Sequence, residues 1–109
     1  MTVKELISRL NFKPIALPFG DKEITGAYVG DLLSWVMGRA EPSTAWITIM
    51  SNSNTVAVAS LCELSCIILA EDVLPDGDTE RLAGEKGVNI IVSPHSAYDT
   101  AVLLHSVLK

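Results

Sequence analysis

Between Ala45 and Ala70 lie two short runs, Trp46-Ile47-Thr48-Ile49-Met50 and Cys66-Ile67-Ile68-Leu69-Ala70, that constrain the fold more than any other stretch. Each is of strand length and lacks a polar-apolar alternation, the pattern of a strand buried on both faces. Between them stand Ser51-Asn52-Ser53-Asn54 and a segment of small residues. Thr55 to Leu64 can be read as a hairpin strand, because Val56 and Val58 alternate with Ala57 and Ala59. The helical reading is stronger. Asn54 or Thr55 supplies a cap, Ala57, Ala59, Leu61 and Leu64 suit a packed helix, and doubly buried parallel strands need a crossover between them. The unit is β-α-β, and the rest of the chain is expected to pack around it.

The flanks continue this alternation. Thr2 caps a short amphipathic helix through Val3, Leu6, Ile7 and Leu10, with Asn11 near its end. Ile15-Ala16-Leu17, held between Pro14 and Pro18, is a short strand at an edge. Glu23 to Tyr28 reads as extended or irregular, and Asp31 precedes a two-turn helix through Leu32, Leu33, Val36 and Met37 that Gly38 is placed to end. After an acidic loop with Pro75 and Gly77, Asp78 caps a helix ended by Gly87, and Asn89 to Val92 forms a strand. Ser96 with Asp99 makes a capping box for a last helix bearing Ala97, Ala101, Leu104 and Leu108. The expected fold is a small, open, mostly parallel α/β sheet with right-handed crossover helices.

With 109 residues the chain has room for one domain, 1–109, and one core. Hydrophobic residues make up 49% of it, high enough that some apolar surface is expected to be covered by a partner, and a homodimer is the expected form. A net charge of -5 without any cluster of Lys or Arg argues against nucleic acid and anionic membranes as partners. No stretch reads as a membrane span or a secretory leader, and the two cysteines, Cys62 and Cys66, sit among apolar residues. A cytoplasmic location with reduced thiols is therefore expected.

A resemblance can be named on four groups of residues: Ile24-Thr25-Gly26-Ala27 before the Asp31 helix; Trp46-Ile47-Thr48-Ile49 before a polar turn; Cys66-Ile67-Ile68-Leu69 before an acidic loop with Pro75; and Gly87 to Ile91 followed by Ser93 and Tyr98. In their order and spacing the chain resembles the DRTGG domain, a small α/β module related to the N-terminal domain of HPr kinase/phosphatase, over roughly residues 24–108. The resemblance implies a regulatory module, of a kind found fused to CBS modules or phosphotransacetylases or standing alone. The residues that name the family are replaced: Asn52 and Ser53 stand near its Asp-Arg pair, and Ala70-Glu71-Asp72 stands where Thr-Gly-Gly would be. Glu71 and Asp72 would repel an anionic ligand at those strand ends. The kinase activity of the relative resides in a separate P-loop domain, and no G-x-x-x-x-G-K-[ST] occurs here.

The residues that could bind a ligand fall in the loops expected after successive strands: Gly26, Tyr28 and Asp31; Ser51, Asn52 and Asn54; Glu71; and Ser93, His95 and Ser96. Hydroxyl and amide groups at Ser51 to Asn54 beside helix amides form a cradle for a small polar, nucleotide-like ligand, against which stands plain turn and cap chemistry. Cys62 and Cys66 with His95 and His105 lack the segment arrangement of a metal site, and the acidic loop lacks EF-hand spacing, so neither a metal nor a cofactor is expected. No nucleophile has an evident base, so catalysis is not expected. Trp35 and Met37, on a helix too short for a large buried face, are candidates for contact with a second subunit, against which stands packing within the chain; a larger protein assembly is the other partner expected of such a module.

Overall fold

The computed structural model describes residues 1–108. Helix α1 (Val3–Leu10) opens the chain with a reciprocal cap, in which Thr2 Oγ1 accepts the Glu5 amide at 3.2 Å and Glu5 Oε1 accepts the Thr2 amide at 3.0 Å. Asn11, at φ 57°, ends it in left-handed backbone. There follow β1 (Lys13–Ala16), β2 (Gly26–Val29), α2 (Leu33–Arg39), β3 (Thr44–Thr48), α3 (Ser53–Leu61), β4 (Cys66–Leu69), α4 (Thr79–Lys86), β5 (Ile90–Val92) and α5 (Ala97–Val107).

The strands form one sheet in the order β1-β5-β4-β3-β2, in which β2 to β5 are parallel and β1 runs antiparallel to β5. The fold is the mostly parallel α/β arrangement that the alternation of elements implies. Every residue of β3, β4 and β5 is buried, as their unbroken apolar runs require, while β1 and β2 lie at the edges and are only partly covered. Register puts Trp46 beside Ile67 and Ile67 beside Ile90, a row that packs with Val36, Val56, Val58 and Ala83 under α2, α3 and α4. Ile47, Ile68 and Ile91 form the row on the opposite face, packed with Val3, Leu6 and Leu104 under α1 and α5. The sheet is thus sandwiched between two helical layers.

Several local details differ from the sequence reading. Of the two readings of Glu23 to Tyr28, extended holds from Gly26 on, where Gly26–Val29 forms β2, paired in parallel with β3 from Gly26↔Thr44 to Val29↔Ile47. Gly38 does not end α2, which runs on to Arg39, and its cap position is Leu32, without a side-chain hydrogen bond. The cap of α3 is Asn52, two or three residues before the expected Asn54 or Thr55, with its Oδ1 accepting the Asn54 amide at 3.0 Å. Asp78 stands at the cap position of α4 but makes no capping bond, its carboxylate lying 3.3 Å from Arg81 instead. Gly87 ends α4 at φ 72° as expected, and the Phe19 ring lies 2.6 Å from where a Cβ would stand.

One buried polar side chain ties the loops together. Asn89 Oδ1 accepts the Phe19 amide at 3.0 Å, and its Nδ2 donates to the carbonyls of Phe19 and Ser65 at 2.8 and 2.9 Å. Ser65 Oγ in turn donates to the Glu23 carbonyl. These bonds fix the β1–β2 connection against the ends of α3 and α4.

Candidate functional site

Because β2 to β5 run the same way, the segments after them, beginning at Gly30, Ile49, Ala70 and Ser93, collect along one edge of the sheet. This is where open parallel sheets bind ligands. Asp31 staples the first two segments: its Oδ1 accepts Thr48 Oγ1 at 2.6 Å and the Ile49 amide at 3.1 Å. Thr48 Oγ1 also accepts the Met50 amide at 3.2 Å, and Thr55 Oγ1 donates to the Met50 carbonyl at 3.0 Å. The Asp76 amide donates to the Ser51 carbonyl at 3.1 Å, joining the second segment to the third.

The third and fourth segments are joined through backbone. Glu71 and Asp72 both adopt left-handed conformations, at φ 60° and 59°, and their amides donate to the carbonyls of His95 and Ser93 at 2.7 and 2.9 Å. Left-handed backbone is the conformation that glycine adopts freely, and here two consecutive acidic residues hold it. Both amides are turned onto the Ser93–His95 segment, so they form no nest for an anion. Ser93 is fully buried; its Oγ lies 2.8 Å from Thr100 Oγ1 and accepts the His95 amide at 3.2 Å. Ser96 caps α5, its Oγ accepting the Asp99 amide at 3.0 Å. His95 is exposed, with its ring 6.3 Å from that of Phe12.

The structure therefore brings Asp31, Ser51, Asn52, Glu71, His95 and Ser96 to one edge, with Asn54 in the exposed first turn of α3 beside them. Ser93 belongs to the same edge but is spent on internal bonds. Gly26 does not join the group, and Tyr28 meets it only through its ring, 3.1 Å from where a Cβ on Gly30 would stand. Gly26 begins β2 at the far end of the sheet, and with Tyr28 it lines a separate depression of about 260 Å³ that includes Arg39, Glu41 and Thr44. Trp35 and Met37 are 54% and 46% exposed on α2, and the Arg39 guanidinium stacks 4.2 Å from the centre of the Trp35 ring.

Charge along the loop edge is mostly negative, from Asp31, Glu71, Asp72, Asp76 and Asp78, and the nearby Arg81 is engaged by Asp78 at 3.3 Å and Glu85 at 2.6 Å. Beneath the edge, a narrow apolar void between Met50, Val56, Leu69 and Ile90 has no room for a water molecule. A larger groove, about 540 Å³, runs between β1 and α4 past Ile15, Leu17, Pro18, Asp78 and Arg81. Nothing in the sequence marks it, since it depends on the antiparallel placement of β1. Burial pushes the Cys66 thiol up to about 12 and raises that of Cys62, so both stay protonated at neutral pH. Among the described residues no three His, Cys, Asp or Glu side chains are grouped to hold a metal ion.

No protein-family model matches the sequence, and no curated protein matches it. Among solved structures, the chain is similar to the CBS and DRTGG domains of the regulatory region of Clostridium perfringens pyrophosphatase, complexed with its activator diadenosine tetraphosphate. The two superpose with a TM-score of 0.73 at 12% identity, over 94% of this chain and 45% of that one. The chain thus spans less than half of that regulatory region. The likeness shows a DRTGG-like fold, in agreement with the order of elements in the sequence. No helix among the described residues is long and apolar enough to cross a membrane.

Proposed function

We propose that the chain is a non-catalytic regulatory module of DRTGG type that acts in the cytoplasm as a homodimer, lending its surface to a larger protein assembly. The observation that carries this reading is the fold it shares with a regulatory region. Exposed Trp35 and Met37 support self-association, because large apolar side chains left in water on a short helix are more often covered by a partner. The test is twofold. Purified protein should sediment as a dimer, and it should show no turnover with ATP, acyl phosphates or pyrophosphate. A rate abolished by changing Ser51, Asn52 or His95 would overturn the non-catalytic reading.

A second reading, ligand sensing at the loop edge, is favoured by the convergence of four strand-end segments there. The pyrophosphatase region binds a dinucleoside polyphosphate. Here the acidic residues along the edge and the committed amides of Glu71 and Asp72 favour a neutral or cationic polar ligand over such an anion. A thermal-shift panel of nucleotides, dinucleoside polyphosphates, acyl phosphates, polyamines and divalent metals tests this, since a ligand at about 100 times its Kd adds roughly 2.7 kcal/mol. Asn52→Ala should abolish such a shift; a shift that survives it places the ligand elsewhere.

A further inference from the structure

The two edges of the sheet are built differently. β1 carries Lys13 and Pro14, and its register against β5 breaks between Pro14 and Ala16. A charged side chain, a proline and an irregular register are the devices that keep an edge strand from pairing with another chain. β2, Gly26-Ala27-Tyr28-Val29, has no lysine, no proline and an unbroken register with β3. Peptide groups in a strand point alternately to its two sides. The Gly30 amide donates to the Ile47 carbonyl at 3.2 Å on the β3 side, so Tyr28 also faces β3 and the amides and carbonyls of Ala27 and Val29 face outward.

Exposed apolar side chains stand on both faces of the sheet, on α5, which contacts β2, and on α2, which follows β2 in the chain. On the α5 face Val29, Tyr98 and Val102 are 50%, 77% and 51% exposed; on the α2 face Leu32 and Trp35 are likewise exposed. An extended peptide could pair with the edge but would leave the apolar residues of both helical layers in water. A sheet edge with a helix on each face can pair with β2 and cover apolar residues of both layers at once, and that is what this chain presents.

We propose that the open edge of β2 is the docking surface for a second copy of this chain. Two five-stranded sheets then join into one, antiparallel about a two-fold axis beside Tyr28. This rests on the homodimer reading above and specifies its geometry. Ala27 of one copy exchanges both backbone hydrogen bonds with Val29 of the other, while the two Tyr28 residues face each other in the non-hydrogen-bonded position. Antiparallel pairing also brings the start of one β2 against the end of the other. Arg39, which lines the depression at Gly26, then approaches the exposed Asp31 of the second copy, just past the end of its β2. A standard interface takes about 800 Å² from each partner, about one seventh of the 5614 Å² surface of this chain. The edge itself is free of carboxylates over Gly26 to Val29, which lets two copies of net charge -5 approach there.

The experiment combines sedimentation with cross-linking. Ala27→Pro removes an outward amide and no bond to β3, so the variant should be monomeric where the wild type is dimeric, with unchanged circular dichroism. Should proline perturb the strand, Val29→Lys, at a half-exposed position, gives the second reading and should also yield monomer. In a Cys62→Ser background, Tyr28→Cys should oxidise to a covalent dimer, because non-hydrogen-bonded antiparallel pairs stand about 4.5 Å apart at Cα, within disulfide reach. Ala27→Cys, facing Val29 rather than itself, should not. A wild type that stays monomeric overturns both this geometry and the homodimer reading. A dimer indifferent to Ala27→Pro and Val29→Lys, or one in which Tyr28→Cys fails to cross-link, overturns docking through β2 and leaves a homodimer of another geometry standing.

Discussion

Asn89 holds three segments at once, and its removal should be felt more than that of most apolar side chains of its size. Asn89→Ala leaves the Phe19 amide and the Phe19 and Ser65 carbonyls without their partner in a part-buried setting. Unpaired buried polar groups cost about 1–3 kcal/mol each before water re-enters. A loss of about 2–4 kcal/mol in urea unfolding is expected, and a loss below 1 kcal/mol would mean that the loops are held by other contacts. Glu71 runs the other way. Its left-handed backbone, at φ 60°, burdens the fold by about 1–2 kcal/mol, part of which glycine would relieve at the expense of a freer unfolded chain. Glu71→Gly should therefore raise stability by about 0.5–1 kcal/mol, read as a higher Tm; a lower Tm would assign the Glu71 side chain a stabilising contact. Neither residue announces itself in the sequence. Asn89 reads as the first residue of a strand, and left-handed backbone at Glu71 becomes legible only through the resemblance that sets it against a glycine.

At the scale of elements, side-chain acceptors mark the starts of α1, α3 and α5 but not those of α2 and α4. Thr2 is legible as a cap, and the structure adds the return bond from Glu5 that completes a capping box. Thr2→Ala should cost about 1 kcal/mol, measured by chemical denaturation. The same box gives a pH dependence. Accepting the Thr2 amide and hydroxyl environment holds the Glu5 carboxyl below its ordinary 4.5, so the contribution of the charged form is present above pH 4.5 and is lost as the pH falls through the lowered folded value. Glu5→Gln should flatten that part of the acid limb. The start of α3 was misplaced because Asn52, Asn54 and Thr55 all carry capping groups, and only the chain direction after β3 selects Asn52. β2 was read as merely extended because four residues beginning with glycine carry little strand signal, and its pairing with β3 is a non-local fact. For the same reason the sequence groups Gly26 with the loop edge: without the strand's limits, it does not say which end of the sheet a residue occupies. Asp31, Ser51, Asn52, Glu71, His95 and Ser96 were legible as one group because parallel strands send all their C-terminal loops to one edge.

The whole molecule is a sheet whose central strands serve two cores, and this dictates how it should unfold. Trp46, Ile67 and Ile90 face one helical layer, and their neighbours Ile47, Ile68 and Ile91 face the other, so neither layer can leave without exposing strands that the other still needs. Trp46 is fully buried, and its Nε1 donates to the Gly30 carbonyl at 2.8 Å, tying the interior to the end of β2. In a Trp35→Phe variant all tryptophan emission comes from Trp46. With Ala27→Pro added, any dissociation through β2 drops out of the transition. Emission and far-ultraviolet circular dichroism should then trace one coincident urea transition, as for other small domains that fold all-or-none. A fluorescence change preceding the loss of helix would show that the α2–α4 layer opens while α1 and α5 hold the opposite face. The two cores would then be separate cooperative units, and the opened layer would leave an apolar face of β3 and β4 in water.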